Sequence, residues 1–326
     1  MSIADIGAER ASRTTAPTGV ARPVAPGALF PAANQADDAH LSDAIAPATS
    51  PGYVVSMALF LVAALTLGFV ANLVFVSPLE HQVAQTKAFN LLRFELGNET
   101  APLGPRDSDH RLLALGTPMA ELSIPSIGVK EVVGEGTTSA VLMSGPGHER
   151  STVFPGGVGT SVILGRAAAY GGPFGRINEL AKGALIKVTT QVGTSTFRVV
   201  DHRKAGDVIP HLAPGDARLT LATAAGPAFV PSGVQWVDAD LVGSPLAAAK
   251  PAIATLPGSE RPLGIDVSSL WLLVLWLGAL VLLLGGGIWT WRRRGHARAW
   301  IIFSAPVAVV SLFIAGQITL LLPNLM

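Results

Sequence analysis

Residues 219–242 read LTLATAAGPAFVPSGVQWVDADLV. Two runs of apolar, β-branched and aromatic residues, Leu219–Thr223 and Val234–Val242, flank a loop carrying Gly226, Pro227, Pro231 and Gly233. This is the pattern of two strands separated by turn residues. The same signature recurs upstream in Ala120–Ile124, Ser161–Leu164, Leu185–Thr190 and Thr194–Asp201. The stretch LIKVTTQVGTSTFRVVD (185–201) reads as a hairpin with Gly193 in its turn. Short strands at close spacing predict a mainly β domain over 117–243, a closed barrel or a sandwich. About 125 residues suffice for one core.

The flanks read differently. The chain is 49% hydrophobic and only 14% charged, against about 25% charged residues in an average soluble protein. Three apolar runs are each long enough to cross a bilayer: Val54–Val76, Leu270–Thr290 and Ala299–Pro323. Trp289, Trp291 and Trp300 cluster where the last two runs meet, as an interfacial aromatic belt does. Between those runs lie Arg292, Arg293, Arg294 and Arg298 with no acid, which marks a cytoplasmic turn. Three spans then place the N-terminus in the cytoplasm and residues 78–265 outside.

The expected organisation is a disordered cytoplasmic tail (1–52), a span (53–77) and a stalk helix with linker (78–116). The β domain (117–243), a linker (244–266), a second span (267–290), the Arg-rich loop (291–298) and a third span (299–323) follow. Leu79–Leu96 carries Val83, Phe89, Leu92 and Leu96 at roughly helical spacing, and Ser77-Pro78 is where the first span is expected to end or kink. With 23 basic against 22 acidic residues, nothing suggests a nucleic-acid partner. The chain has no cysteine, which excludes disulfides, thiolate metal sites and a cysteine nucleophile.

Within the β domain, IPSIGV (124–129), GPGH (145–148), FPGGVGTSVILG (154–165), GGPF (171–174) and LTLAT (219–223) occur in an order that resembles the sortase family. The similarity covers about residues 117–243 and is strongest to actinobacterial housekeeping-type sortases, some of which carry an extra C-terminal membrane segment. It implies a sortase-like closed β-barrel with short helices on the outer face of a Gram-positive plasma membrane. Sortases are membrane-anchored transpeptidases with a Cys nucleophile, a His acid/base and an Arg that stabilises substrate or oxyanion.

Each of those positions is substituted. The Cys that follows L-T-L-x-T is Ala224, which has no nucleophilic atom. The His that follows V-I-x-G is Arg166, whose guanidinium stays protonated and cannot act as a base. The Arg that opens the last strand is Val234, or Gly233 with a one-residue slip, and neither side chain donates to an oxyanion. Loss of all three implies a pseudoenzyme rather than a trapping mutant.

No catalytic residue is therefore expected, and no metal or cofactor. Asp207, His211 and Asp216 read as solvated loop polars. Gly156–Gly159 precedes a strand instead of opening a helix and is no phosphate loop. Arg166 is the candidate ligand contact at the mouth of the old groove, for a carboxylate, a C-terminus or a phosphate-bearing polymer; a salt bridge to a nearby acid is the alternative. Tyr170 and Phe229 are candidate apolar walls, and Thr223 is the hydroxyl nearest the lost Cys. The leading expectation is a non-catalytic module that binds or scaffolds a surface protein, peptide or wall component. The alternatives are a hydrolase or transpeptidase of non-cysteine chemistry and a subunit acting through its membrane helices, with Gly285–Gly287 permitting close helix approach.

Overall fold

The computed structural model describes residues 51–246, 250–267, 269–294 and 296–326. The expected tail at 1–52 lies almost entirely outside them. Residues 59–326 cluster as one unit, and the description below concerns that unit.

Eight strands close a barrel: β1 (Pro118–Ile124), β2 (Val129–Glu135), β3 (Gly147–His148), β4 (Gly159–Leu164), β5 (Leu185–Thr190), β6 (Gly193–Lys204), β7 (Ala217–Ala225) and β8 (Gly233–Leu241). Their order around the barrel is β1-β2-β3-β4-β7-β8-β6-β5, with β5 returning to β1. The pairs β2–β3 and β4–β7 are parallel and the rest antiparallel. Closure leaves no sheet edge for aggregation. The interior is filled by Leu122, Ile124, Ile163, Phe174, Ile186, Val188, Phe197, Leu219, Leu221 and Val237. Along β7, Leu219 and Leu221 point into this core, and the alternate residues Ala222 and Ala224 belong to a separate apolar cluster on the opposite face.

The first helix, α1 (Pro51–Ala71), does not end at Ser77-Pro78. It passes through a π-helical turn, Asn72–Val76, into α2 (Ser77–Gly97). The Ser77 N–H donates to Asn72 O, one residue further back than in an α-helix. Leu73 O, which would have taken that N–H, accepts the Ser77 hydroxyl at 2.6 Å instead. Pro78 then falls in the first turn of α2, where its missing N–H does no harm. The helix α2 lies on the barrel. Gln85 receives Val132 N–H at 2.7 Å and donates to Val132 O at 3.2 Å and Ser144 O at 2.8 Å, so its amide pairs with β2 as a strand backbone would. His81 and Glu131 meet at 3.1 Å beside it.

Among the described residues, two helices are long and apolar enough to cross a membrane, over Leu270–Arg293 and Ile301–Leu320, where three are expected. The run 54–76 is helical throughout, but most of its side chains up to 64 lie outside the description. The helices α4 (Leu270–Arg294) and α5 (His296–Leu320) form a hairpin, so the Arg-bearing stretch expected as a loop is largely helical. Trp276 stacks on Phe313 at 4.6 Å between centroids. A Cβ on Gly286 would come within 3.1 Å of Phe303, so this glycine is used inside the hairpin.

The stretch after β8 is packed, where the sequence suggests a plain linker. Glu260 is buried and held by both Nε and Nη2 of Arg150, and its carbonyl accepts the Thr137 hydroxyl at 2.6 Å.

Candidate functional site

The β7–β8 register places Ala224 directly opposite Val234, and Ala222 opposite Trp236. On the other side of β7, Leu164 of β4 is the partner of Ala222. These residues form one wall. It continues into a short helix, α3 (Ser139–Ser144), through Leu142, and Leu325 packs in the same cluster with no exposed surface. Two of the three positions expected for a catalytic triad are thus neighbours across one ladder. The third, Arg166, stands two residues beyond Leu164.

Gly165 is dictated by packing, since a Cβ there would lie 2.5 Å from the Phe174 ring. Its N–H donates to Ala222 O, which continues the β4–β7 ladder up to Arg166. Arg166 is fully buried, not at an open groove mouth. Its Nη2 donates to the Ser139 hydroxyl at 2.8 Å and to Ser139 O at 3.3 Å; its Nη1 donates to Met326 O at 3.1 Å. The guanidinium carbon lies 5.2 Å from the centre of the Tyr170 ring. Burial pulls the Arg166 pKa down to about 10, because removal from water penalises the charged form. Among the described ion pairs it has no carboxylate partner. Oxygen dipoles and an aromatic face hold the charge, and the guanidinium meets the chain's own Ser139 and Met326 where the sequence suggests an open groove mouth.

The other candidate contacts fare likewise. Tyr170 is buried in a left-handed conformation (φ +51°), and its N–H donates to the Ser77 hydroxyl at 3.1 Å. Burial, with Glu80 nearby, pushes its phenol up. Thr223 is buried on the face opposite Ala224, and its hydroxyl donates to Gly165 O at 2.9 Å. Phe229 alone is exposed, at the tip of the β7–β8 loop.

The groove is closed by the chain itself. After α5, residues 321–326 turn back onto the wall. Ala167 N–H donates to Leu325 O at 3.0 Å and Asn324 N–H to Gly264 O at 3.1 Å. The Asn324 amide donates to Thr137 O and to Arg261 O, both at 2.9 Å. Six backbone carbonyl oxygens from three regions of the chain (137–139, 261–264 and 325–326) thus take part in seating this segment and Arg166. Sequence reasoning named none of Ser139, Leu142, Asn324 or Leu325. Their contacts join residues 27 to 187 positions apart, and no local pattern signals them.

Ser232 donates to Ala225 O at 3.2 Å. His148 is buried, with Nδ1 3.0 Å from Glu135 and Nε2 3.0 Å from Val153 O. Thr152 lies 3.3 Å from His148 Nε2, the one Ser/Thr–His hydrogen-bond contact among the described residues. Its hydroxyl donates to Glu149 O at 2.7 Å and accepts Val162 N–H, so it is engaged with backbone.

A family model described as the sortase domain matches residues 122–232. Those residues are a sortase domain. The sortase domain is similar to solved structures that include a Clostridium perfringens sortase D5 transpeptidase, at 21% identity over 49% of this chain and 99% of that chain, with a TM-score of 0.41. Sortase E1 from Streptomyces coelicolor, solved with a tripeptide in its active site, matches at 22% over 40% and 91%, with a TM-score of 0.36. Sortase C-1 from Actinomyces oris matches at 25% over 48% and 98%, with a TM-score of 0.35. No curated protein matches the chain.

Proposed function

We propose that this chain is a non-catalytic, membrane-anchored member of the sortase family. Three spans hold it, the N-terminus is cytoplasmic, and the barrel stands at the outer face of the plasma membrane. There it binds or scaffolds an envelope protein, peptide or wall component. The observation that carries the reading is the wall itself. Where acyl transfer needs a nucleophile, a base and an oxyanion donor, Ala224 faces Val234, Leu325 fills the space and both terminal nitrogens of Arg166 are bound, to Ser139 and Met326. Arg166 then serves the closure of the groove, and the partner is met by another surface of the barrel.

The test uses full-length protein in nanodiscs. Peptides carrying sorting-type sequences are offered with a primary-amine acceptor, and a serine-directed phosphonate probe is added in parallel. No cleavage, no amide product and no labelling are expected; turnover abolished by Thr223→Val or Ser232→Ala would establish altered chemistry instead. Co-purification from native membrane then separates a barrel partner, lost on substituting exposed barrel residues, from one held by the helices alone.

A further inference from the structure

The groove end of the barrel is tied to the end of the membrane hairpin. Leu325, seated against the wall that holds Ala224 and Val234, is five residues beyond the end of α5, at most about 18 Å of extended chain. Gly264, which accepts the Asn324 N–H, lies six residues before α4 begins. Tyr170 N–H is bound to Ser77, next to the π-helical turn that packs against α5. Trp271, at the start of α4, is 64% exposed, where an interfacial anchor is expected. This end of the barrel therefore faces the level at which α4 and α5 leave the lipid.

The β7–β8 loop projects from that same end. Ala225 and Gly233 are the last paired residues, adjacent to Ala224 and Val234. Beyond them, three residues on each side of Phe229 reach about 10 Å. No charged residue occurs between Arg218 and Asp238. Residues 226–230 are all exposed, Phe229 by 39% and Val230 by 65%. The loop is built rather than loose: Val230 N–H donates to Pro227 O at 3.0 Å and Ser232 N–H to Ala225 O at 2.8 Å. Phe229 occupies the third position of that turn with φ +63°, a conformation that favours Gly or Asn. An aromatic ring stands there partly open to its surroundings, on an uncharged turn between two prolines.

We propose that residues 226–232 form a membrane-contacting tip that seats Phe229 and Val230 at the headgroup–acyl boundary of the bilayer crossed by α4 and α5. The lipid surface covers the apolar side chains that the protein leaves open and fixes the barrel's tilt over the membrane. This goes beyond the non-catalytic reading and does not depend on it.

The absence of cysteine allows single-site labelling without further change. Phe229→Cys, Val230→Cys, Trp271→Cys and Val208→Cys are each labelled with an environment-sensitive nitrobenzoxadiazole in full-length protein in phosphatidylcholine nanodiscs. Val208, 88% exposed in the β6–β7 loop at the opposite end of β7, is the aqueous reference. Labels at 229, 230 and 271 are expected to emit to the blue of the label at 208. They should be quenched by headgroup-level nitroxide lipids and be several-fold less quenched by iodide. Labels at 229 and 230 that behave as at 208 while 271 is protected overturn the tip. Aqueous behaviour at all of these sites overturns it too, together with the span over α4.

Discussion

Leu325→Ala tests whether the segment 321–326 is held by its side chain or merely rests on the barrel. Leu325 is wholly buried among Leu142, Leu164, Ala222, Ala224 and Val234. A Leu→Ala change in a closed core costs about 2–5 kcal/mol. Here the segment can undock instead of leaving a cavity, so the lower part of that range applies, about 2–3 kcal/mol. At a factor of ten for every 1.4 kcal/mol, that raises the population of the undocked state about 30- to 150-fold. Two amides report it directly, Ala167 N–H on Leu325 O and Asn324 N–H on Gly264 O. Hydrogen–deuterium exchange with mass spectrometry, on full-length protein in nanodiscs, should show peptides covering 165–170 and 321–326 accelerated by that factor. The β7–β8 ladder should keep its protection, since local opening leaves the barrel closed. Unchanged exchange at both reporters would refute the assignment of Leu325 as the residue that closes the groove. Acceleration throughout the barrel would mean that the segment is integral to the core rather than docked on it.

Arg166 gives a second test with a sign. Burial lowers its pKa, so the charged side chain carries a desolvation penalty at neutral pH that is relieved only as pH rises above about 10. Arg166→Met keeps volume and drops that penalty, and should hold stability within about 1 kcal/mol, whereas Arg166→Ala leaves a void and should lose about 2–4 kcal/mol in denaturant titration. Ala224→Cys should give neither transpeptidation nor a thioacyl adduct by mass spectrometry, because position 166 still lacks a base and Leu325 still occupies the wall. Glu260→Gln breaks a buried pair with Arg150. At about 3 kcal/mol it should lower Tm by about 6–12 °C, read by scanning fluorimetry.

How far the fold could be read in advance depended on where each contact lies along the chain. The strand Leu185–Thr190 and its hairpin with the following strand stand where local alternation puts them, but the turn is Gln191-Val192, and Gly193, expected in it, is the first strand residue, paired with Thr190. Of the expected strands at the end of the domain, the first extends by two residues at each end to Ala217–Ala225, and the second is displaced by one residue to Gly233–Leu241. The strand Val129–Glu135 escaped notice. Its apolar pattern is broken by Glu131 and Glu135, acids that are acceptable there only because His81 and His148 meet them from other elements. The two-residue strand Gly147–His148 is too short to leave any period. At the site, the pairing of Ala224 with Val234 follows from one hairpin and was within reach of sequence reasoning. The burial of Arg166 was not, since its partners lie 27 and 160 positions away.

The substitutions at 224 and 234 make sense together with Leu325, and less well one at a time. Ala224, Val234, Leu164 and Leu142 form an apolar surface, and an apolar side chain covers it. A cysteine at 224 would fit that surface, but an arginine at 234 would bring a second cation to the end of the barrel where Arg166 is already buried. Like charges in a dry site repel strongly, and neither would have an acid to pair with. A histidine at 166 would surrender donors to Ser139 and Met326 and leave those oxygens unpaired. On the proposed reading, then, the change from catalyst to closed module is one physical change. The polar groups that would face a substrate give way to a hydrophobic wall, and the remaining cation turns inward to hold the segment that covers it.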